Sequence, residues 1–303
     1  MNATPHRTAQ ARLRITRSIL FSFALLLASN AWAAKSYPVR GVVLKVNRPA
    51  KTIFVSCDAI PGFMEAMAMS YAVRDAKQLD GIAPGSMIDF TLVVAADTSY
   101  AENIRVHGFE SLEQDPLAAR RLKLLDQIAS PDGAPKPLDP GQHVPDFTLI
   151  DQTGQRVILS QFAGKVVVVS FMYTRCALPN YCFRLSNNLG RLQKRFANQL
   201  GQDLILLSIT FDPVHDQPEQ LTEYGKIWHA DPKGWHLLTG PVPDIQAVCR
   251  QFGMSFFPDE GLMIHSLHTV VIDRQGNLSA NLEGNEFSSE QLGDLVQVVM
   301  DNH

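Results

Sequence analysis

The stretch Val166-Val167-Val168-Val169-Ser170-Phe171-Met172-Tyr173-Thr174-Arg175-Cys176-Ala177-Leu178-Pro179-Asn180-Tyr181-Cys182 decides the reading of the larger part of this 303-residue chain. Its first eight residues are almost continuously apolar and begin with four valines, as expected of a strand buried on both faces. Helical periodicity takes over from Leu185 to Leu200, so the two cysteines fall where a buried strand ends and a helix begins. Working outward, Leu204 to Phe211 reads as a second central strand and Glu219 to Trp228 as a second helix. Cys249 falls in a further helix, Ile245 to Phe252, and reads as a small buried apolar residue. Thr269-Val270-Val271-Ile272-Asp273 and Leu278 to Leu282 pair across the turn Arg274-Gln275-Gly276-Asn277. Ser288-Ser289-Glu290-Gln291 offers a capping box for a last helix running to Met300.

Strand–helix alternation that closes on a hairpin and a helix predicts an α/β thioredoxin-like domain over residues 141–303. Upstream the pattern is different. Val39 to Val46 alternates in part, Asn47-Arg48-Pro49-Ala50-Lys51 is a turn, and Thr52-Ile53-Phe54-Val55-Ser56 returns as the second arm of a hairpin. Ser86 to Val94 and Ile104 to Phe109 supply further strands, with no amphipathic helix between them. A small all-β, OB-like barrel over residues 35–112 is the economical solution, since closure removes exposed edges. Residues 113–140 join the two domains through one short helix, Leu117 to Ile128, and a semi-rigid tract. That tract, Ser130 to Gly141, holds four prolines and two glycines in twelve residues.

Residues 1–34 carry Arg7, Arg12, Arg14 and Arg17, then the apolar run Ile19 to Ala28, then Ala31-Trp32-Ala33. This is the order of a cleavable export signal, and the run is short of the roughly 20 residues that span a bilayer. The expected destination is the periplasm; an uncleaved leader would instead anchor the chain to the inner membrane. Removing the leader takes the formal charge from −3 to −7. An acidic chain without a basic block is a poor nucleic-acid binder.

In an oxidising compartment Cys57, Cys176, Cys182 and Cys249 are candidates for disulfides, metal ligands or redox groups. Cys176 and Cys182 form C-x5-C at a strand–helix junction, where helix N–H groups favour thiolate. Thiolates suit soft Cu(I) as well as disulfide exchange, and a structural disulfide is the plain alternative. The third member is His265, in Phe257 to Thr269. A general thioredoxin keeps a proline in the turn before the corresponding strand; here a histidine-bearing loop stands there. Two thiolates and one imidazole make a Cys2His site suited to copper, with His268 as the rival ligand.

Val144-Pro145-Asp146-Phe147, Tyr173-Thr174-Arg175-Cys176, Ser208-Ile209-Thr210-Phe211-Asp212-Pro213, Trp235 to Gly240 and His265-Ser266 through Asp273 resemble the Sco/SenC family, over roughly residues 141–300. The resemblance implies a thioredoxin fold, copper held by Cys176, Cys182 and His265, an aspartate near the metal at Asp212, and a role in maturing the copper centre of cytochrome c oxidase. Its commonest pattern is C-x3-C with prolines after the cysteines; here the spacing is C-x5-C, with alanine and phenylalanine following.

Ile60 to Tyr71 concentrates Met64, Met67 and Met69, three of the chain's nine methionines. On a strand, Met67 and Met69 face one side, and thioether sulfur selects Cu(I); core packing is the bland reading. Residues 37–95 resemble CusF-like periplasmic copper-binding domains. Met67 and Met69 match that family's methionines, Cys57 stands at its histidine and Met64 at its tryptophan. Together these features describe a copper-binding chaperone whose partner is a copper-receiving protein, such as the copper subunit of a cytochrome oxidase. The alternative is a thiol-disulfide reductase using Cys176 and Cys182. A thiol peroxidase is disfavoured by Tyr173, which stands where that chemistry wants serine or threonine.

Overall fold

The computed structural model describes residues 34–108, 136–176, 178–259 and 261–302, with helical residues 120–122, 124, 125 and 128 between them. The leader, apart from Ala34, and most of the joining segment lie outside the described residues. Among those described, no helix is long and apolar enough to cross a membrane.

The first unit is a closed five-stranded barrel of β1 (Lys35–Asn47), β2 (Thr52–Cys57), β3 (Met67–Val73), β4 (Met87–Val94) and β5 (Ser99–Val106), in the order β1-β2-β3-β5-β4. The β1–β2 turn forms as the sequence suggests: Asn47 Oδ1 accepts from Ala50 N at 3.0 Å, and Lys51 takes a positive φ. β1 serves both β2 and β4, and a register shift between Val43 and Lys45 bends it around the barrel. Val39, Val43, Ile53, Val55, Tyr71, Ile88 and Phe90 fill the interior. Strand β1 is longer at both ends than its alternation suggests, and β5 lies earlier than expected.

The second unit is a seven-stranded sheet of order β14-β13-β8-β9-β10-β6-β7. Its strands are β6 (Thr148–Asp151), β7 (Arg156–Ile158), β8 (Val166–Met172), β9 (Leu204–Thr210), β10 (Trp235–Thr239), β13 (His268–Ile272) and β14 (Leu278–Glu283). β8, β9 and β10 run parallel and the others antiparallel. Every residue of β8 and β9 is buried, the consequence of two adjacent strands covered on both faces. Four helices pack around the sheet: α1 (Arg184–Arg195), α2 (Pro218–Ile227), α3 (Val242–Gln251) and α4 (Ser289–Asp301). The capping box of α4 forms, Ser288 Oγ accepting from Gln291 N and Gln291 Oε1 from Ser288 N. A separate hairpin, β11 (Phe256–Asp259) with β12 (Leu262–His265), replaces the histidine-bearing loop expected from sequence.

The two units are packed together. Val42, Leu44 and Met87 point outward from the barrel into the core of the second unit. Gly85 meets it so closely that a Cβ there would lie 2.9 Å from the Asn281 carbonyl oxygen, and its φ of +90° also requires glycine. Polar bonds complete the contact: Ser56 Oγ donates to Asp294 at 2.7 Å, and Gln291 Nε2 donates to Ser56 O and Asp58 Oδ1.

Burial holds the His236 and His268 imidazoles below the ordinary histidine range. The unfolded chain therefore takes up protons that the folded chain refuses once pH drops below about 6.5. Stability should be level above that pH and fall as pH is lowered through it, by at most about 1.4 kcal/mol per pH unit for each histidine. Urea denaturation at pH 7.5 and pH 5.5 reads this directly, and His268→Gln should flatten the dependence.

Candidate metal centre

The site is built where β8 and β9 end. Asp216, fully buried, accepts from Thr174 N at 3.0 Å, Thr174 Oγ1 at 2.5 Å and Thr210 Oγ1 at 2.5 Å. One carboxylate thus ties the turn after β8 to the end of β9 and fixes where Cys176 emerges. Residues Pro179–Phe183 then form a single π-type turn, interrupted at Tyr181 with φ −109° and ψ −111°, and α1 begins only at Arg184. The sequence suggests a helix that begins at the cysteines. Instead the helix starts two residues after Cys182, and that cysteine sits in a widened turn of the kind often found at functional sites. This turn is braced from the far side of the fold. The Asn285 amide donates to the Asn180 carbonyl, and Arg184 Nη2 donates to Glu286 O at 2.9 Å.

One sulfur from each cysteine and one ring nitrogen of His265 all lie within 4.8 Å of one another. Cys176 is 3 % exposed, Cys182 1 % and His265 7 %. His265 Nδ1 lies 2.8 Å from Ser266 O, which only accepts, so Nδ1 carries the proton and Nε2 is left to bind. Its ring is fixed against Phe211, Tyr173 and Tyr181 at 4.7, 5.8 and 5.9 Å. The Cys176 thiol is pulled down to about 4, chiefly by the hydrogen bond from Cys182, with His265 adding to it against the cost of burial. The same bond, together with burial, pushes Cys182 upward. The two shifts run in opposite directions, so Cys176 is the cysteine of the pair more easily made a thiolate, the form that a soft cation takes.

His268 is not part of this cluster. It is buried on β13 with Nδ1 2.9 Å from Asn281 Oδ1. Asp212 is buried nearby, but its carboxylate is engaged by Arg175 Nη2 at 2.7 Å and His215 Nδ1 at 2.8 Å, so it acts on the site through the residue before Cys176. Cys249 is buried in α3 within the second core while Cys57 belongs to the barrel core, and all four cysteines are free.

In the barrel, Cys57 pairs across the ladder with Met67, and Val55 with Met69, which puts Cys57, Met67 and Met69 on one face. Strand β5 pairs with β3 only at Ala72 and Val73, so the start of β3 is open and Met67 and Met69 are 48 % and 36 % exposed. Cys57 lies beneath them with Sγ 3.3 Å from Tyr71 Oη, and burial pushes its thiol up to about 11. Met64 is half-buried in the turn before β3, where its backbone bridges to Ile60. Next to it, Phe63 stacks on Tyr37 with centroids 4.1 Å apart.

Sequence reasoning overlooked Asp216, Asn285 and Tyr181. Asp216 follows the Asp212-Pro213 pair by three residues and is flanked by polar neighbours, so nothing local marks it as buried. Asp216→Ala would leave three donors without their acceptor and should cost about 3 kcal/mol or more. Urea unfolding measures the loss, and Asp216→Asn should cost less.

Residues 135–300 match the family model SCO1/SenC, and residues 36–105 match that of the copper binding periplasmic protein CusF. The chain is 29 % identical over 154 residues to protein sco1 of Schizosaccharomyces pombe, covering 48 % of this chain and 56 % of that protein. It is 33 % identical over 137 residues to an SCO2-like protein of Rickettsia typhi, covering 43 % and 64 %. It thus spans less than two thirds of the length of either curated relative. The crystal structure of Arabidopsis thaliana ScoI with copper bound is similar at 25 % identity and a TM-score of 0.45, covering 52 % of this chain and 98 % of that one. By its larger, C-terminal part the chain belongs to the SCO1/SenC family, and it carries a CusF-like domain ahead of it.

Proposed function

We propose that this chain is an exported copper chaperone, in which Cys176, Cys182 and His265 take one copper ion and pass it to an acceptor cuproprotein. The observation that carries the proposal is the convergence of two sulfurs and one imidazole nitrogen within 4.8 Å in a nearly water-free setting. Two thiolates select soft metal over magnesium, calcium or manganese, and the imidazole adds the nitrogen that Cu(II) prefers. Structural zinc wants four protein ligands, and three converge here among the described residues. Copper is cargo in this reading, leaving by exchange of these three ligands for those of the acceptor. The acceptor most consistent with the family is the copper subunit of a cytochrome c oxidase. The leader and the match of residues 36–105 to a periplasmic family support export to the periplasm.

The first domain is proposed to bind its own Cu(I) through Met67 and Met69, with Cys57 beneath and Met64 beside them. Cys57 would give up its proton and its contact with Tyr71 to ligate, so that site should favour Cu(I) supplied at higher pH. The reductase alternative is less well served, because it needs the dithiol alone, whereas here an imidazole converges on the two sulfurs.

Anaerobic titration of the full chain should find two equivalents of Cu(I). Met67→Leu/Met69→Leu should retain one, and Cys176→Ser or Cys182→Ser should retain the other; a single equivalent in the parent protein, lost with either cysteine, would remove the first-domain site. Oxidation to a Cys176–Cys182 disulfide consumes both thiolates and should abolish binding at the second site. His265→Ala should keep Cu(I) weakly and lose the Cu(II)–thiolate charge-transfer band. An unchanged band in that variant would overturn the assignment of His265.

A further inference from the structure

The hairpin that ends in His265 is a sheet of its own, joined by ladder bonds to no strand of the seven-stranded sheet. An isolated two-stranded hairpin is marginally stable in water, so its place is set by what grips it. Its base is closed by Ser266 N donating to Ser255 O at 2.8 Å, and Phe256 packs it on Phe211 of the main fold at 5.5 Å. Its far end is gripped by two arginines. Arg175 directs Nη2 and Nε to Asp212 Oδ2 at 2.7 and 3.2 Å and Nη1 to the Gly261 carbonyl at 3.2 Å. Gly261 stands at the hairpin tip with φ +85°. Arg121, in the segment joining the two domains, places Nη2 and Nη1 at 2.5 and 3.2 Å from the two oxygens of Asp259, a bidentate fork.

Because the sulfurs are almost wholly buried, copper reaches or leaves them only if some cover moves. The hairpin is that cover: it supplies His265, and its backbone at Met263 meets Tyr173, three residues before Cys176. We infer that Arg175 and Arg121 are positioning residues that latch the tip of the His265 hairpin over the dithiol and so set the rate at which copper is exchanged. This rests on the copper reading of the site and adds to it a control point. The two latches differ in kind. Arg175 is anchored on a buried carboxylate beside the ligands, so its loss exposes the site directly. Arg121, itself half exposed, reaches from the joining segment to Asp259, which ties the cover to the connection with the first domain and makes its hold the more salt-sensitive of the two.

The test uses the full chain loaded with Cu(II), which the thioether site of the barrel does not hold, and follows decay of the thiolate charge-transfer band after excess EDTA is added. Arg175→Ala should release copper about tenfold faster or more, as expected for loss of charge-assisted hydrogen bonds to a buried group. Arg121→Ala should release it about two- to fivefold faster. In 1 M NaCl the parent protein should speed up and Arg121→Ala should not. The exchange Arg121→Asp/Asp259→Arg should return the rate close to that of the parent, a rescue that a merely structural contribution would not give. If Arg175→Ala fails to fold, Arg121→Ala and the charge exchange carry the test. A parent protein without a charge-transfer band would sink the copper reading and this inference with it. A normal band with release rates unchanged in the folded single variants would overturn the latch alone.

Discussion

The carboxylate of Asp216 is the point on which the site hangs. Parallel strands deliver their C-terminal ends to one edge of a sheet, but they do not fix the turns that follow. Here a group with no exposure gathers Thr174 and Thr210 onto itself, locking the turns after β8 and β9 to each other. Cys176 then leaves the first of those turns in a set direction, and Asp212 leaves the second. Arg175, between Thr174 and Cys176, closes the arrangement by pairing with Asp212. A buried carboxylate is costly unless it is hydrogen-bonded, and the three donors supplied by two threonines are what make it tolerable.

With the scaffold fixed, the chemistry follows from burial. Excluding water raises the cost of charge on every group in the cluster, and the bond between the two cysteines lowers one thiol while raising the other. In the proposed function a metal cation would take the place of the thiol protons, so the cargo itself would neutralise the negative charge that burial disfavours. The barrel reaches a similar end with different means. Its thioethers carry no charge and sit near solvent, while the one sulfur able to ionise is held protonated below them. One domain thus presents exposed, neutral thioethers and the other a closed cluster of two thiols and an imidazole.

Much of this was legible in the chain. Four consecutive valines before the dithiol announced a strand buried on both faces, and the Ser288 to Gln291 pattern announced the last helix. Cys176, Cys182 and His265 were visible as residue types in a meaningful order, and the structure brings them together. What stayed hidden depended on non-local contacts. The π-type turn that carries Cys182 is one such feature: Asn285, more than a hundred residues away, satisfies a carbonyl inside it. The choice between His265 and His268 is made by Asn281, whose amide oxygen occupies the second ring. The alternation of Val39 to Val46 is only partial because Val42, Val43 and Leu44 are all buried. One face lines the barrel and the other meets the second domain, a fact no local periodicity records.

That docking gives the fusion of the two domains a physical meaning beyond tethering. The segment from Asn285 to Asp294 touches both regions that carry candidate ligands. At one end Asn285 and Glu286 brace the turn that carries Cys182. At the other, Gln291 and Asp294 hold Ser56 and Asp58, the residues on either side of Cys57. Arg40 and His107 of the barrel reach Glu286 between them, at 3.5 and 3.0 Å. Pulling the barrel away would therefore strip partners from the same short segment that shapes the cysteine turn. The Cys2His site of this chain is completed by its neighbour: the thioredoxin-like layer supplies the ligands, and the barrel steadies the segment that holds one of them in place.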